Sequence, residues 1–155
     1  MLLNSNLNTK LKLSLFLFAI LFIFDQVVKY GFANLSWDVD GPYMSLKLAY
    51  NYGVAFSMFE FLEGGLKYIQ LGIILAATIY LLKNKDVFYE YWLASTLLYV
   101  GALSNILDRF TYGAVVDYFY WHYGFEFAIF NIADVLINIA VALILYKQFF
   151  GKKAV

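Results

Sequence analysis

The chain has no cysteine, one proline and one histidine, and its 11 basic and 11 acidic residues make up only 14% of 155. Without cysteine there is no disulfide framework, no thiolate metal site and no cysteine nucleophile. The lone histidine, His122, excludes a multi-histidine zinc centre, and no HExxH motif occurs. Against these scarcities stands one excess: 63% of the residues are hydrophobic and 21% aromatic. Soluble domains are about 45–50% apolar and about 25% charged, so a water-soluble sphere of this size could not cover its apolar surface. Disorder is excluded too, because disordered chains are poor in bulky residues. The composition is that of a small multi-span membrane protein, and the length suits a single domain over residues 1–155.

A spanning helix needs roughly 20 mostly apolar residues. Four segments qualify, at about 11–30, 66–82, 87–106 and 129–146. The loop at about 31–65 contains Gly41-Pro42 and then SLKLAYNYGVAFSMF, whose alternation and Tyr/Phe content predict short strands. The loop at about 107–128 includes the aromatic stretch YFYWHYGFEF, which reads as interfacial. Lys10, Lys12, Lys83, Lys85, Lys147, Lys152 and Lys153 gather at one set of span ends, while all acids except Asp86 and Glu90 lie toward the other. The positive-inside rule then places both termini and the KNKD link in the cytoplasm, with the two long loops outside. A competing reading of the N-terminus is a signal peptide, with Lys10 and Lys12 before an apolar run and Gly31-Phe32-Ala33 as a cleavage site. Asp25 and Lys29 so close to that site count against it.

Asp25 lies 13 residues beyond Lys12, and Asp134 lies 13 residues before Lys147. At 1.5 Å per residue, both carboxylates stand roughly 20 Å from the cytoplasmic anchors. Asn105, Asp108 and Arg109 close the third span at the same depth. Asp25 and Lys29 are spaced i,i+4, and Asn131, Asp134 and Asn138 fall on one helical stripe. A carboxylate in the hydrocarbon region costs about 2.5–3.5 kcal/mol on insertion scales, which makes each one a functional candidate. The structural alternative is a self-satisfied Asp25–Lys29 pair with Asn residues as interhelical glue.

Few reactions suit this layer. No Ser stands out as a partner for His122, and neither Ser57 nor Ser104 has a Lys at helical spacing. Carboxylates remain. Aspartic hydrolysis needs two that share a proton, one activating water and the other, protonated, bonding the substrate carbonyl. Asp108, Asp117 and Asp134 are the candidates, with Asp25 disfavoured because Lys29 holds it ionised. A proton or cation carrier is a rival reading, but a conduction path needs polar groups staggered from face to face, and the inner halves of the spans are almost purely apolar.

Five pieces, in order, resemble the lipoprotein signal peptidases (signal peptidase II): Asp25-Gln26 with Lys29, NYGVAF (51–56), GALSNILDR (101–109), VVD ending at Asp117, and FNIAD (130–134) followed by Asn138. The resemblance implies four transmembrane helices with a small extracytoplasmic β-sheet and a short surface helix. It implies an aspartic endopeptidase with Asp117 and Asp134 as the catalytic pair. Asn51, Asn105, Arg109 and Asn131 would line the substrate pocket, Asp25 and Lys29 would support it, and Asp108 and Asn138 would be structural. On this resemblance Arg109 is the expected partner of Asp108. Phe56, Phe130 and the Tyr-rich loops are expected to wall the acyl chains, with ordinary interfacial aromatics as the alternative. The implied substrate is a bacterial prolipoprotein carrying diacylglycerol on its lipobox Cys, cut just before that Cys. No metal, cofactor or nucleic-acid partner is implied, only substrate and membrane lipids. The chain is expected to act as a monomer in the bacterial cytoplasmic (inner) membrane. Ser104 departs from the family pattern, standing where many members have Gly. A third reading, a dead homologue acting as a lipoprotein scaffold, is disfavoured by the presence of both aspartates.

Overall fold

A computed structural model describes residues 2–53 and 60–151; Phe56, Ser57, Lys152 and Lys153 lie outside the described residues. The chain is mainly helical: α1 (Leu2–Asn34), β1 (Met44–Asn51), a 3-10 turn (Glu60–Gly65), α2 (Leu66–Lys83), α3 (Lys85–Thr111), β2 (Val115–Trp121) and α4 (Ile132–Phe150). Among the described residues α1, α2 and α4 are long and apolar enough to cross a membrane.

Helix α3 has 27 residues but is less apolar, because beside Asp108 and Arg109 it carries Ser95, Thr96, Ser104 and Asn105 along its length. Its position explains how it holds them. It is the central helix, packed against α1, α2 and α4, so Asp108 and Arg109 are covered by protein rather than lipid. Small residues bring α3 and α4 together. A Cβ at Gly101 would collide with the Ala133 carbonyl and stand 2.6 Å from Ile137 Cγ1, and Ala133 and Ala140 are fully buried opposite.

Three helices clearly exceed the expected limits: α1 runs from Leu2 to Asn34, α3 on to Thr111 and α4 on to Phe150. The last expected span starts late, at Ile132 rather than 129, because Asn131 is extended (φ −129°, ψ 179°) and caps the helix. Phe130 is instead pinned to β2: Phe119 N–H donates to Phe130 O at 2.8 Å, and Phe130 N–H returns a bond to Phe119 O at 3.1 Å.

The predicted strand in the first loop is β1. Its partner is β2, formed by VVDYFYW, part of which was expected only as an interfacial aromatic stretch. The content of β-branched and aromatic residues suits a strand, and the first four residues of β2 are buried. The ladder is antiparallel, pairing Ser45 with Tyr120, Ala49 with Asp117 and Asn51 with Val115, with a register shift between Leu46 and Ala49.

Two apolar clusters bracket the polar layer. One gathers Ala94, Leu97, Val100, Leu136 and Ala140 with Leu17, Leu21 and Phe22. The other gathers Phe32, Val116 and Tyr118 with Val28 and Ile132. Asp25, Lys29, Ser104, Asp108, Arg109, Asp117 and Asn131 lie between them and are all buried. The lysine-rich end is tied separately: Lys10 Nζ donates to Tyr89 O at 3.0 Å and Lys147 Nζ to Glu90 O at 2.5 Å.

Candidate active site

The layer begins with the pair that i,i+4 spacing suggested. Lys29 Nζ lies 2.9 Å from Asp25 Oδ2 and, across to α3, 2.8 Å from Asp108 Oδ2. It also donates to Asn105 Oδ1 at 2.8 Å and to Ser104 Oγ at 3.3 Å. Asp25 accepts further bonds from Ser104 Oγ (2.5 Å) and Ala133 N–H (3.1 Å), which ties α1 to both α3 and α4. Taking ions out of water costs several kcal/mol each, so such a group persists only when every member is bonded. These are.

Asp108 is equally occupied. It accepts from Lys29, from Gln26 Nε2 at 3.0 Å and from Val116 N–H at 3.2 Å, and it is fully buried. Arg109, expected to hold it, instead donates from Nη2 to the Gly53 carbonyl. Asp108 therefore latches the start of β2 to α3.

Asp117 and Asp134 arrive from different elements. β2 carries Asp117 opposite Ala49, which makes Asn51 its diagonal neighbour across the ladder, and Asn51 Nδ2 donates to Asp117 Oδ2 at 3.1 Å. Asp134 is the third residue of α4 and closes a capping box: Asn131 Oδ1 accepts from Asp134 N–H (2.9 Å), and Asp134 Oδ2 accepts from Asn131 N–H (3.1 Å). Asn131 Nδ2 then reaches back to Asp117 Oδ1 at 2.7 Å. Asn105, oriented by Lys29 and Asn131, donates from Nδ2 to Asp134 Oδ1 at 2.9 Å. Five of the expected site residues (Asn51, Asn105, Asp117, Asn131, Asp134) thus form one connected network, with Lys29 behind it.

Burial, followed by the negative charge of Asp134, pushes the Asp117 carboxyl up to about 7 against the opposing pull of the Asn51 and Asn131 amides and of Lys29. Like charges that share a site cannot both ionise freely. Asp117 is only 2% exposed. Asp134 borders a cavity of about 510 Å³ together with Asn51, Asn105, Arg109 and Asn138, under an apolar rim that includes Phe127 and Phe130. Asn138, expected as structural, stands one turn below Asp134 on that wall. In size the cavity falls within the range of small-molecule sites.

Two serine arrangements that sequence spacing had not offered are present. Ser104 meets Lys29 across two helices, but Lys29 is doubly ion-paired and Ser104 Oγ already donates to Asp25, so no free base serves the hydroxyl. Ser45 Oγ lies 3.0 Å from His122 Nε2 at the far end of the ladder from Asn51. Neither residue is on the cavity wall, and Ser45 Oγ also accepts the Gly41 N–H. This contact fastens the start of β1 to the end of β2. The cavity also contains Gln70 of α2, read from sequence only as a polar interruption in a span. A lone amide in an apolar helix was the available signal.

Comparison with known proteins reveals clear relatives. Residues 17–150 match the family described as signal peptidase (SPase) II. A lipoprotein signal peptidase of Wolinella succinogenes is 50% identical over 141 residues, covering 90% of this chain and 95% of that protein. Those of Helicobacter pylori strain 26695 and Campylobacter jejuni strain 81116 are 43% and 47% identical, covering 94% and 88% of this chain and 93% and 86% of theirs. A solved structure described as a bacterial membrane enzyme determined by the in meso method at 2.3 Å superposes with a TM-score of 0.78 at 33% identity, covering 93% of both chains.

Proposed function

Because this chain belongs to the signal peptidase II family, we propose that it is an intramembrane aspartic endopeptidase that removes signal peptides from diacylglyceryl-modified bacterial prolipoproteins, cutting just before the lipidated Cys. It is an integral protein of the bacterial inner membrane. In this reading α3 is a fourth span, both termini lie in the cytoplasm with the lysine-rich end, and the chain works as a monomer. The carboxylate layer then faces the extracytoplasmic side, where the signal helix and acyl chains arrive laterally and water enters from outside. One observation carries the reading: Asn131 joins Asp117 to the helix cap that holds Asp134, so two carboxylates share one hydrogen-bonded site.

The division of labour follows from the surroundings. Asp117, pushed up to about 7, carries a proton below that pH, gives it to the substrate carbonyl oxygen as water adds, and takes it back as the tetrahedral intermediate collapses. Asp134, on the cavity wall, takes a proton from the attacking water and passes it to the departing nitrogen as the tetrahedral intermediate collapses. Arg109 and Asn51 hold the substrate main chain, while Asn105 and Asn131 hold the carboxylates. Asp25, Lys29 and Asp108 fix α1, α3 and β2 around them. Phe130 and Phe127 on the rim wall the acyl chains.

The test is cleavage of a diacylglyceryl prolipopeptide by detergent-purified protein, followed by mass. General acid–base groups contribute about 10²–10⁴-fold, so Asp117→Asn and Asp134→Asn should each lose at least about a hundredfold with the cut still mapped just before the lipidated Cys. Activity that survives Asp117→Asn but not Asp108→Asn would identify a different pair. A folded wild type that cuts nothing would leave a lipoprotein-binding scaffold in its place.

A further inference from the structure

We propose that Gln70 of α2 is a substrate-positioning residue, accepting a hydrogen bond from a main-chain N–H of the bound peptide across the cavity from Arg109. The inference rests on the peptidase reading above and adds to it a contact from the one spanning helix that carries none of the motif residues.

The polar side chains of α2 are few, and their partners separate them. Lys67 lies over the Phe110 ring at 4.7 Å. Thr78 Oγ1 donates to Ile74 O at 2.8 Å and meets Tyr99 OH at 2.7 Å. Gln70 differs from these: its Oε1 is buried and has no hydrogen-bond partner among the described residues. A buried polar atom left unpaired costs about 1–3 kcal/mol, and an apolar residue facing lipid or neighbouring helices would avoid that cost. The side chain borders the same cavity as Asn105, Arg109 and Asp134.

The opposite requirement is met on α3. Arg109 is 5% exposed and gives Nη2 to the Gly53 carbonyl, yet its Nε and Nη1 are buried without partners among the described residues. Gln70 on one helix and Arg109 on another therefore line the same cavity, the first with an unpaired acceptor and the second with unpaired donors. An extended peptide carries both complements, an N–H and a C=O on each unit. The diacylglyceryl ester oxygens only accept, so they can satisfy Arg109 but not Gln70 Oε1. Of the two parts of such a substrate, only the peptide supplies a donor. Because main-chain N–H groups are common to all sequences, Gln70 sets the register of the peptide without selecting side chains.

The experiment compares wild type, Gln70→Leu and Gln70→Met on a diacylglyceryl prolipopeptide and on versions N-methylated, one at a time, at the peptide bonds flanking the scissile one. On the parent substrate both variants should lose about tenfold in kcat/KM, mainly through KM, with a thermal midpoint no lower than wild type because an unpaired polar atom has been removed. Methylation at one position should slow the wild type by a similar factor and leave the variants no slower than on the parent. Unchanged cleavage by both variants would overturn the proposal. So would methylation penalties that are the same in wild type and variants, or losses matched by lowered thermal midpoints. A wild type that cleaves no substrate removes the peptidase reading itself, and this proposal with it.

Discussion

Asn131 donates from Nδ2 to Asp117 Oδ1 at 2.7 Å. The same residue caps α4, and Asp134 closes the box with it. One side chain therefore sets the distance between a strand carboxylate and a helix carboxylate. Phe119 and Phe130 reinforce the setting through paired backbone bonds that hold the entry to α4 against β2. Sliding α4 relative to the sheet would break both links at once.

This arrangement gives a pH dependence with a definite sign. Asp117 is raised to about 7 by burial and by Asp134, whereas an unfolded carboxylate titrates near about 4. Between those values the folded state holds more protons, so the stability Asp117 contributes is full below about pH 4 and is lost as pH rises through about 7. Thermal midpoints of wild type should fall relative to Asp117→Asn between pH 5 and pH 8 on this account. Parallel curves would show that Asp117 does not titrate in that window. For the same reason wild-type kcat/KM should decline as pH rises through about 7.

Asn131→Ala removes a cap and an amide donor to Asp117. Loss of the cap costs about 1 kcal/mol. The Asn131 bond is one of the forces that lowers the Asp117 carboxyl, so its removal should shift the alkaline limb of the pH–rate profile upward. Measuring stability and pH–rate profile on one preparation separates the two effects.

Lys29 is ion-paired with both Asp25 and Asp108 inside the bundle. Lys29→Met should cost about 3–5 kcal/mol, because it strands two buried carboxylates. Adding Asp25→Asn should recover part of that loss, and unfolding in mixed micelles would measure the coupling. Fully additive costs would contradict the network described here.

Gly101 sits where α3 meets the first turn of α4. Gly101→Ala should cost about 1–3 kcal/mol through overpacking and also lower activity, since spreading these helices lengthens the 2.9 Å bond from Asn105 to Asp134. Gly72→Ala is the control, as nothing lies within 4 Å of a Cβ there. Equal behaviour of the two variants in thermal unfolding and cleavage would remove the packing argument.

Much of the architecture was legible along the chain. Apolar runs located the helices, and helical spacing put Asp25 with Lys29 on a shared face; Asn131, expected on the helical stripe of Asp134, is instead the extended cap before α4. Element ends were less legible: α4 begins only after Asn131 because Phe130 bonds to β2, a partner far away in sequence. β2 itself was obscured because a Tyr/Phe/Trp stretch beside a membrane has two good explanations, strand and interface. The partner of Asp108 was misread, since Arg109 is adjacent in sequence but Lys29 and Gln26 are adjacent in space. Ser104 meeting Lys29, and Ser45 meeting His122, were invisible to spacing on single elements.

By itself the sequence determined the apolar helical elements and the common level along them at which the polar groups gather, because hydrophobicity and the 1.5 Å rise per residue are local properties. Tertiary structure decided which carboxylates are occupied and which are left to share a site. Asp25 and Asp108 are consumed by Lys29, Gln26 and backbone N–H groups. Among the described residues Asp117 and Asp134 have only amides as hydrogen-bond partners, and Asp117 feels the charge of Asp134. That division depends on bonds between α1, α3, β2 and α4, and no single element contains the information.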